Sequence, residues 1–405
     1  MRILFLSPRQ CFPARSGAKL REYHFLRALG ASAEVTYLYF SDPGSEPLTV
    51  RELPFCREVF AVPKPSAYGL ANNVRGIFGR WPLSILNYTS PEMSTVARRV
   101  LLPGGFDLIH LDSIHMIRYA PGGVRAIYNW HNIESEAMRR YGSSAASLPR
   151  RSYAKVTAAK LAKLERSILD SAFGHVVCSE REREQLAAIA PQARISVIEN
   201  GVDTFYFAPA EPASPAARKI VFVGAMDYFP NSDAAVFFAT EIWPHIRRRM
   251  PDFKLAIVGA NPAPAVRALA ELPGVTVTGT VPDVRPYYRD ALAAIVPLRT
   301  GGGTRLKILE AMAAGVPIIS TPLGAEGLAV SNGKNALIVD ANDAESWINR
   351  IVSLTESPAH RAQIIDAAHR LVETRYDWAH LGAKLRETYS AWLAESTSQR
   401  SVDRN

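Results

Sequence analysis

Short runs of β-branched and aliphatic residues alternate along the whole chain with longer stretches of helical spacing. This alternation is typical of parallel sheets covered by helices, because two parallel strands must be joined by a crossover segment. The predicted strands of the N-terminal half lie at residues 3–7, 34–40, 58–62, 108–110, 126–128, 175–178 and 195–198. Those of the C-terminal half lie at residues 220–223, 255–258, 275–278, 293–296, 316–320 and 337–339. We therefore predict the α/β fold class, with two Rossmann-like domains that face each other across a cleft.

The length of the chain supports this division, since 405 residues exceed the roughly 100 to 200 that one domain usually contains. A segment rich in Pro and Ala, residues 208–218, has little that could pack and is the best linker candidate. We predict an N-terminal domain over 1–207 and a C-terminal domain over 208–375. A helix over 376–395 has no strand after it and is expected to pack back toward the N-terminal domain. Residues 396–405 are expected to form a disordered tail.

The composition excludes several classes of protein. Hydrophobic residues make up 48% and charged residues 21% of the chain, as in an ordinary globular protein rather than a disordered one. The N-terminus reads as a strand and not as a secretion signal, and no stretch reaches the ~18 consecutive apolar residues that span a bilayer. Cys11, Cys56 and Cys178 are odd in number and far apart, which fits a reducing compartment. We therefore expect a cytoplasmic protein.

Part of the formal net charge of +9 is concentrated in one predicted helix. Its basic residues are Arg150, Arg151, Lys155, Lys160, Lys163 and Arg166. Apolar residues at helical spacing lie among them, so this helix is either an ordinary surface helix or one that contacts anionic lipid at the inner face of the plasma membrane. No recognisable nucleic-acid module accompanies it, so we do not expect nucleic acid as a partner.

Residues 297–328 carry the most chemical information in the chain. The glycine run 301–303 follows a predicted strand, and Thr304 is a good N-cap for the helix that comes next. Such a loop lets backbone N–H groups approach a phosphate closely, and the helix dipole adds partial positive charge. Gly315 then ends the helix before the chain returns as a strand. The segment therefore predicts an anion-binding turn between a strand and a helix.

Two cations and a carboxylate follow this turn. Arg305 and Lys307 lie in the predicted first helical turn, where the helix dipole disfavours cations unless an anion is present. A diphosphate would supply that anion. Glu310 lies beside Lys307 at the edge of the packed stripe of the helix and can accept two hydrogen bonds from a ribose diol. The alternative is a surface ion pair between Lys307 and Glu310, which are i, i+3 neighbours.

The segment GGGTRLKILEAMAAGVPIISTPLGAEGL resembles the donor-site signature of glycosyltransferase family 4, whose members are retaining enzymes of the GT-B fold. Residues 197–209 (VIENGVDTFYFAP), 222–231 (FVGAMDYFPN) and 277–288 (VTGTVPDVRPYY) also resemble segments of that family. The match is close in the C-terminal half and loose in the N-terminal half. The resemblance implies a hexosyltransferase-like enzyme with a nucleoside-diphosphate sugar as donor substrate. The basic helix and a location at the inner face of the membrane favour a saccharide or lipid-linked acceptor, in cell-envelope or exopolysaccharide biosynthesis.

The resemblance implies roles for individual residues of the donor site. Glu310 matches the second Glu of the family's pattern of two Glu separated by seven residues, and it would bind the ribose hydroxyls. The first Glu of that pattern, which typically touches the donor sugar, falls at Gly302 in this chain. This departure leaves the identity of the sugar open.

A second departure concerns the diphosphate. Many family members carry an Arg and a Lys for it after the first donor-domain strand, near the positions of Ala225 and Asn231 here. We therefore predict that Arg305 and Lys307 act in their place as catalytic cations. The predicted donor site, including the loop after residue 278 that would meet the base, consists of Gly17, Gly224, Thr280, Val281, Gly302, Gly303, Thr304, Arg305, Lys307 and Glu310.

In the N-terminal half, His131 follows a predicted strand at its carboxyl end, within YNWHNIE. It resembles the family's cleft histidine beside the reacting sugar, and we predict it as a catalytic residue. Asp112 and Glu134 are weaker candidates for orienting the acceptor hydroxyl. Gly17, in the loop after the first strand, either lets backbone approach the donor phosphate or belongs to an ordinary strand-to-helix turn.

The chain has no Asp-any-Asp triplet, which is the usual carboxylate holder for a divalent metal on the diphosphate. We therefore expect transfer with no metal and no further cofactor, and with retention at the anomeric carbon, as the resemblance implies. A nicotinamide-dependent oxidoreductase is disfavoured because neither half shows a Gly-any-Gly fingerprint after an early strand. Three alternatives stay open, namely a nucleotide-sugar epimerase of the GT-B fold, a sugar phosphorylase of that fold, and a non-catalytic relative that only binds a nucleotide sugar.

Overall fold

The computed structural model describes residues 1–14, 16–65, 75–76, 78–102, 104–121, 123–144, 147–208, 218–301 and 305–402. The chain divides into two compact units. Met1–Glu199 and Leu381–Asn405 form the N-terminal unit, and Asn200–His380 forms the C-terminal unit. The first division falls at residues 199 and 200, eight residues before the predicted domain boundary.

The N-terminal unit is built on a seven-stranded parallel sheet with the strand order β3-β2-β1-β4-β5-β6-β7. Its strands are β1 (Arg2–Ser7), β2 (Glu34–Ser41), β3 (Glu58–Pro63), β4 (Leu108–Leu111), β5 (Ala126–Trp130), β6 (Gly174–Val177) and β7 (Ile195–Val197). All seven predicted strands are confirmed. The strand order reverses between β1 and β4, and ligands of such sheets bind near this reversal, beyond the carboxyl ends of the strands.

Helices connect these strands and cover the sheet. They are α1 (Gly17–Gly30), α2 (Leu83–Leu86), α3 (Pro91–Leu101), α4 (Glu134–Ser144), α5 (Leu148–Ser171) and α6 (Glu180–Ile189), with a 3-10 helix at Ile114–Tyr119. Strands β1 and β4 are buried along almost their whole length, which explains why they read as continuous apolar runs.

The C-terminal unit repeats this architecture with a six-stranded parallel sheet in the order β10-β9-β8-β11-β12-β13. Its strands are β8 (Lys219–Val223), β9 (Lys254–Val258), β10 (Val275–Val277), β11 (Ala293–Val296), β12 (Ile318–Ser320) and β13 (Leu337–Ile338). All six predicted strands are confirmed. The order reverses between β8 and β11, so the loops that follow these two strands lie where a ligand of such a sheet binds.

The helices of the C-terminal unit complete its two outer layers. They are α7 (Thr204–Phe207), α8 (Phe229–Phe237), α9 (Trp243–Arg249), α10 (Pro264–Arg267), α11 (Arg285–Arg289), α12 (Leu306–Ala313), α13 (Ala344–Glu356) and α14 (Pro358–Leu371), with a 3-10 turn at Ala268–Glu271 and π-helical turns at Phe238–Ile242 and Val372–Tyr376. The fully buried side chains of Trp243 and Trp347 anchor these helices on the core.

The last helix, α15 (Trp378–Val402), begins in the C-terminal unit and continues in the N-terminal unit from Leu381. The hydroxyl of Tyr389 lies 2.6 Å from Nδ1 of His110 on β4, and both side chains are buried. Of the tail expected to be disordered, residues 396–402 are helical, and residues 403–405 lie outside the described part of the chain. The sequence has no Gly or Pro after Gly382 that would end the helix earlier.

No helix within the described part of the chain is both long and apolar enough to cross a bilayer.

Candidate functional site

The loop after β8 brings a lysine and an amide together above a glycine. The ammonium Nζ of Lys307 on α12 donates a hydrogen bond to Oδ1 of Asn231 on α8, at 2.5 Å. Gly224, the first residue after β8, lies directly against both groups. A Cβ at this position would be 2.8 Å from Asn231 Nδ2 and 2.9 Å from Lys307 Nζ. Glycine therefore provides the space in which the ammonium reaches the carboxyl end of β8.

An aromatic ring also lies beside the Lys307 ammonium. Its Nζ lies 4.8 Å from the centre of the Phe222 ring, a distance at which a cation interacts with an aromatic face. Burial, reinforced by the positive charge of Arg305, lowers the pKa of Lys307 to about 7, and Glu310 opposes this shift. An anion bound here would stabilise the protonated lysine, because opposite charge at close range favours the charged form.

Helix α12 begins at Leu306 with Arg305 at the N-cap, so the prediction of Thr304 as the N-cap is wrong. Arg305 is buried, and its Nη2 lies 3.5 Å from the carbonyl oxygen of Leu323, which draws the side chain into the unit rather than along the helix surface. Gly302, Gly303 and Thr304 lie outside the described residues. The structure therefore does not describe the backbone of the predicted glycine turn.

The end of α12 agrees with the prediction. Gly315 has a φ of 70° and follows the C-cap Ala314. Its N–H donates to the carbonyl of Met312, and the N–H of Val316 donates to that of Ala311. These two hydrogen bonds form a Schellman motif, which favours glycine at its left-handed position.

Glu310 lies one turn after Lys307, beside a buried tyrosine. The Tyr288 hydroxyl lies 3.4 Å from the carbonyl oxygen of Lys307 and also hydrogen-bonds the Glu310 carboxyl. Burial raises the pKa of Glu310 to about 7, although Lys307 and the Tyr288 hydrogen bond act in the opposite direction. The predicted alternative of a simple surface ion pair does not describe this arrangement, since the ammonium is held by Asn231.

The remaining predicted donor-site residues of this unit lie in the loop after β10. Gly279 has a φ of 70°, Thr280 is exposed, and Val281 packs partly against the core. Gly301, the first residue of the predicted glycine turn, has a φ of 106°, and a Cβ there would be 2.9 Å from Pro230 on α8. The glycine thus lets the loop after β11 approach the start of α8 closely.

We predict that Gly224→Ala weakens binding of a nucleoside diphosphate by about tenfold or more, because the new methyl group displaces Lys307 and Asn231. Calorimetric titration with UDP and GDP measures the effect. Binding of the parent nucleoside should change far less, since it carries no phosphate. Equal loss for nucleoside and diphosphate would instead indicate general disruption of the loop.

In the N-terminal unit, four polar side chains form a connected group at the carboxyl ends of β4 and β5. His131 Nε2 lies 2.9 Å from Oδ2 of Asp112, and Asn129 Nδ2 donates to Oδ1 of the same carboxylate at 2.7 Å. Arg21 on α1 donates through Nε and Nη2 to the side-chain oxygen Oδ1 of Asn129, at 3.0 and 2.9 Å. Arg21, Asn129 and Asp112 are fully buried, whereas His131 retains 14% exposure.

Within this group the Asp112 carboxyl is ionised, whereas His131 is neutral. Burial alone would raise the pKa of Asp112, but His131, which hydrogen-bonds the carboxylate, and His110, whose Nε2 lies 3.6 Å from Oδ1, hold this pKa well below its usual range. Burial lowers the pKa of His131 despite the neighbouring carboxylate. A carboxylate only accepts hydrogen bonds, so a neutral His131 donates Nε2–H to Asp112 and keeps Nδ1 as an acceptor.

Gly17 is the first residue of α1, whose N-cap Ser16 accepts a hydrogen bond from the N–H of Lys19. This local geometry agrees with either of the two interpretations of Gly17. Glu134 is the first residue of α4, and burial together with the neighbouring Glu165 raises its pKa to about 7.

The sequence did not point to three residues of these sites: Asn231, Arg21 and Asn129. Asn231 stood out only as a departure from a family pattern. Asn129 and Arg21 are polar residues within apolar patterns, and this mismatch was the available signal.

Comparison with known proteins matches each half of the chain to a family profile. The family profile described as Glycosyltransferase Family 4 matches residues 16–206, and that described as Glycosyl transferases group 1 matches residues 217–357. A GDP-mannose-dependent alpha-(1-6)-phosphatidylinositol monomannoside mannosyltransferase of Mycolicibacterium smegmatis is 28% identical over 50% of this chain and 58% of its own length. A D-inositol 3-phosphate glycosyltransferase of Mycolicibacterium gilvum is 27% identical over 57% of this chain and 54% of its own. The chain thus matches little more than half the length of these relatives.

Solved structures of the same fold cover nearly the whole chain. Sucrose-phosphate synthase from Thermosynechococcus elongatus superposes with a TM-score of 0.73 and 17% identity, over 98% of this chain and 100% of its own. HepE of Anabaena, in complex with UDP and glucose, superposes with a TM-score of 0.65 and 15% identity, over 96% of this chain and 99% of its own. The fold is therefore of the GT-B type.

Proposed function

Because the chain belongs to the family 4 glycosyltransferases, we propose that it transfers a sugar from a nucleoside-diphosphate sugar to a saccharide or lipid-linked acceptor. The observation that carries this proposal is the Lys307 ammonium, held above Gly224 at the carboxyl end of β8. One turn along α12, Glu310 provides a carboxylate for the ribose hydroxyls. A diphosphate and a ribose are adjacent in the donor, as this cation and this carboxylate are adjacent on the helix.

In the proposed reaction the bond between the anomeric carbon and the diphosphate oxygen breaks, and negative charge develops on the leaving diphosphate. Lys307 and Arg305 stabilise that charge in a site of low polarity, where a fixed cation is worth more than in water. We propose that these cations act without a divalent metal. In the N-terminal unit, the proposed role of His131 is to accept a hydrogen bond from a substrate hydroxyl through Nδ1, with Asp112 fixing the tautomer.

The direct test is a thermal-shift screen of nucleoside-diphosphate sugars, because a ligand that binds only the folded protein raises its melting temperature. The best donor is then incubated with saccharide and polyprenyl-linked acceptors, with and without EDTA, and the product is analysed for anomeric configuration. We expect transfer with retention that EDTA does not reduce. Epimerised donor without transfer, or a strict requirement for inorganic phosphate, would contradict the proposal.

The relatives named for phosphatidylinositol mannosides favour a lipid-linked acceptor and a reaction at the cytoplasmic face of the plasma membrane, as part of envelope or exopolysaccharide synthesis. Helix α5 supports this location. Its exposed basic residues are Arg150, Arg151, Lys155, Lys163 and Arg166. Lys160 instead donates to the carbonyls of Gly76 and Gly79, at 2.8 Å each. Leu148 and Val156 are 75% and 47% exposed beside these cations. Exposed apolar residues among cations suit an anionic bilayer surface.

We predict that the protein binds vesicles that contain about 30% phosphatidylglycerol, and that reversing Lys155 and Lys163 to Glu weakens this binding at least about tenfold. Vesicle sedimentation at low and high salt measures the effect. The matched control reverses Arg248 and Arg249 on α9, which are exposed in the other unit. Equal loss in both double variants would show that net charge, and not α5, determines binding.

A further inference from the structure

Asn231 makes two hydrogen bonds of opposite polarity and is only 7% exposed. Its Nδ2 donates to the carbonyl oxygen of Ala225 at 2.8 Å, and its Oδ1 accepts from Lys307 Nζ at 2.5 Å. A carbonyl can only accept and an ammonium can only donate, so chemistry allows a single orientation of the amide. The side chain therefore connects the loop after β8 rigidly to the tip of Lys307.

The hydrogen bond between Lys307 and Asn231 is unusual because only one of its two partners is charged. Lys307 is half-buried, and an ammonium withdrawn from water is most often compensated by a carboxylate, but Asn231 offers a neutral oxygen. The charged groups that influence Lys307 are Arg305, which adds positive charge, and Glu310, which opposes it. The Phe222 ring lies 4.8 Å from the ammonium, whereas the Tyr288 hydroxyl contacts the backbone carbonyl of Lys307. The ammonium is thus fixed in position while part of its charge is left for another partner.

We propose that Asn231 is a positioning residue that holds the Lys307 ammonium for the donor diphosphate without neutralising it. This inference rests on the proposed function and adds a reason why position 231 carries an asparagine. A carboxylate at position 231 would hold the lysine equally well in space but would compete with the diphosphate for its charge. An alanine would leave the charge but release the side chain from the end of β8.

The test compares Asn231→Asp, Asn231→Ala and a matched control, Asn342→Asp, which adds the same charge at an exposed position of the same unit. The probe is UDP or GDP, whichever raises the melting temperature of the unaltered protein more, with uridine or guanosine as the phosphate-free reference. Dissociation constants are measured by calorimetry between pH 7 and pH 9, where the diphosphate is fully ionised.

We expect Asn231→Asp to weaken diphosphate binding about tenfold or more at pH 7, with nucleoside binding unchanged. The pH dependence of diphosphate affinity should also change. In the unaltered protein, affinity falls as pH rises above about 7 because Lys307 loses its proton, whereas the new carboxylate should shift this fall to higher pH. Asn231→Ala should weaken binding less at pH 7 and should leave the fall near its original pH.

Diphosphate affinity and pH profile of Asn231→Asp within twofold of the unaltered protein would overturn the inference, provided that Lys307→Met abolishes binding. If the Lys307→Met variant also binds the diphosphate normally, or if neither UDP nor GDP binds the unaltered protein, the proposed donor site itself is wrong. The two failures are therefore distinguishable.

Discussion

Replacing Lys307 by methionine should reduce kcat/KM by at least about 100-fold while the protein stays folded. Methionine has a similar length and fills the apolar surroundings near Phe222, so the change removes mainly the charge. The loss is expected because Lys307 is held against Gly224 at the carboxyl end of β8, where the diphosphate is proposed to bind. Initial-rate kinetics with the best donor measure the effect, and Lys334→Met, at an exposed position of the same unit, is the matched control.

The same variant should report the cost of burying this lysine. The pKa of Lys307 is lowered to about 7 in the folded protein, whereas an unfolded chain keeps a lysine protonated to about pH 10. Lys307 therefore destabilises the fold fully below about pH 7, and this cost diminishes as pH rises toward 10. The melting temperature of the unaltered protein should rise relative to that of Lys307→Met over this range. A constant difference across these pH values would contradict the burial of the charged group.

Replacing Asp112 by asparagine should reduce kcat by roughly 100-fold to 10,000-fold with little change in donor affinity. The amide has one oxygen and one NH₂ group in place of the two carboxylate oxygens, so it cannot accept from both Asn129 and His131, and one of these hydrogen bonds is lost. His131 would then accept at Nε2 and carry its proton at Nδ1, which removes the acceptor proposed for the substrate hydroxyl. Asp170→Asn, at an exposed ion pair with Arg166, is the matched control.

The stability of the fold should also depend on the ionisation of the Asp112 carboxyl. The pKa of Asp112 in the folded protein lies below its value in the unfolded chain, so its ionised form stabilises the fold above about pH 4. This contribution is lost as pH falls further. Asp112→Asn should therefore melt lower at neutral pH, and the difference should narrow under acid conditions. Unchanged kcat would show that the buried group serves only the fold.

The central strands, such as β1, β4 and β11, could be predicted because they are buried along almost their whole length and therefore read as continuous apolar runs. The end of α12 at Gly315 was predictable for a similarly local reason, since its left-handed conformation favours glycine. Its start was not. The N-cap is Arg305, which makes no side-chain capping hydrogen bond, so the residue preferences used for capping do not identify it.

The composition of the sites was harder to predict than their location. Lys307 and Glu310 were expected near the end of a strand, because their helix follows β11 directly. The contact between Lys307 and Asn231 joins residues 76 positions apart, and that between Arg21 and Asn129 joins residues 108 apart. Such pairs depend on the packing of whole helices against the sheet. Periodicity within one segment cannot reveal them.

The central claim is that the donor diphosphate binds at Lys307 in the C-terminal unit. A crystal structure with the nucleoside diphosphate that stabilises the protein most tests it directly. The account predicts phosphate oxygens within hydrogen-bonding distance of Lys307 Nζ and ribose hydroxyls at the Glu310 carboxylate. A nucleotide bound elsewhere, with Lys307 in contact with Asn231 and no phosphate near it, would contradict the account.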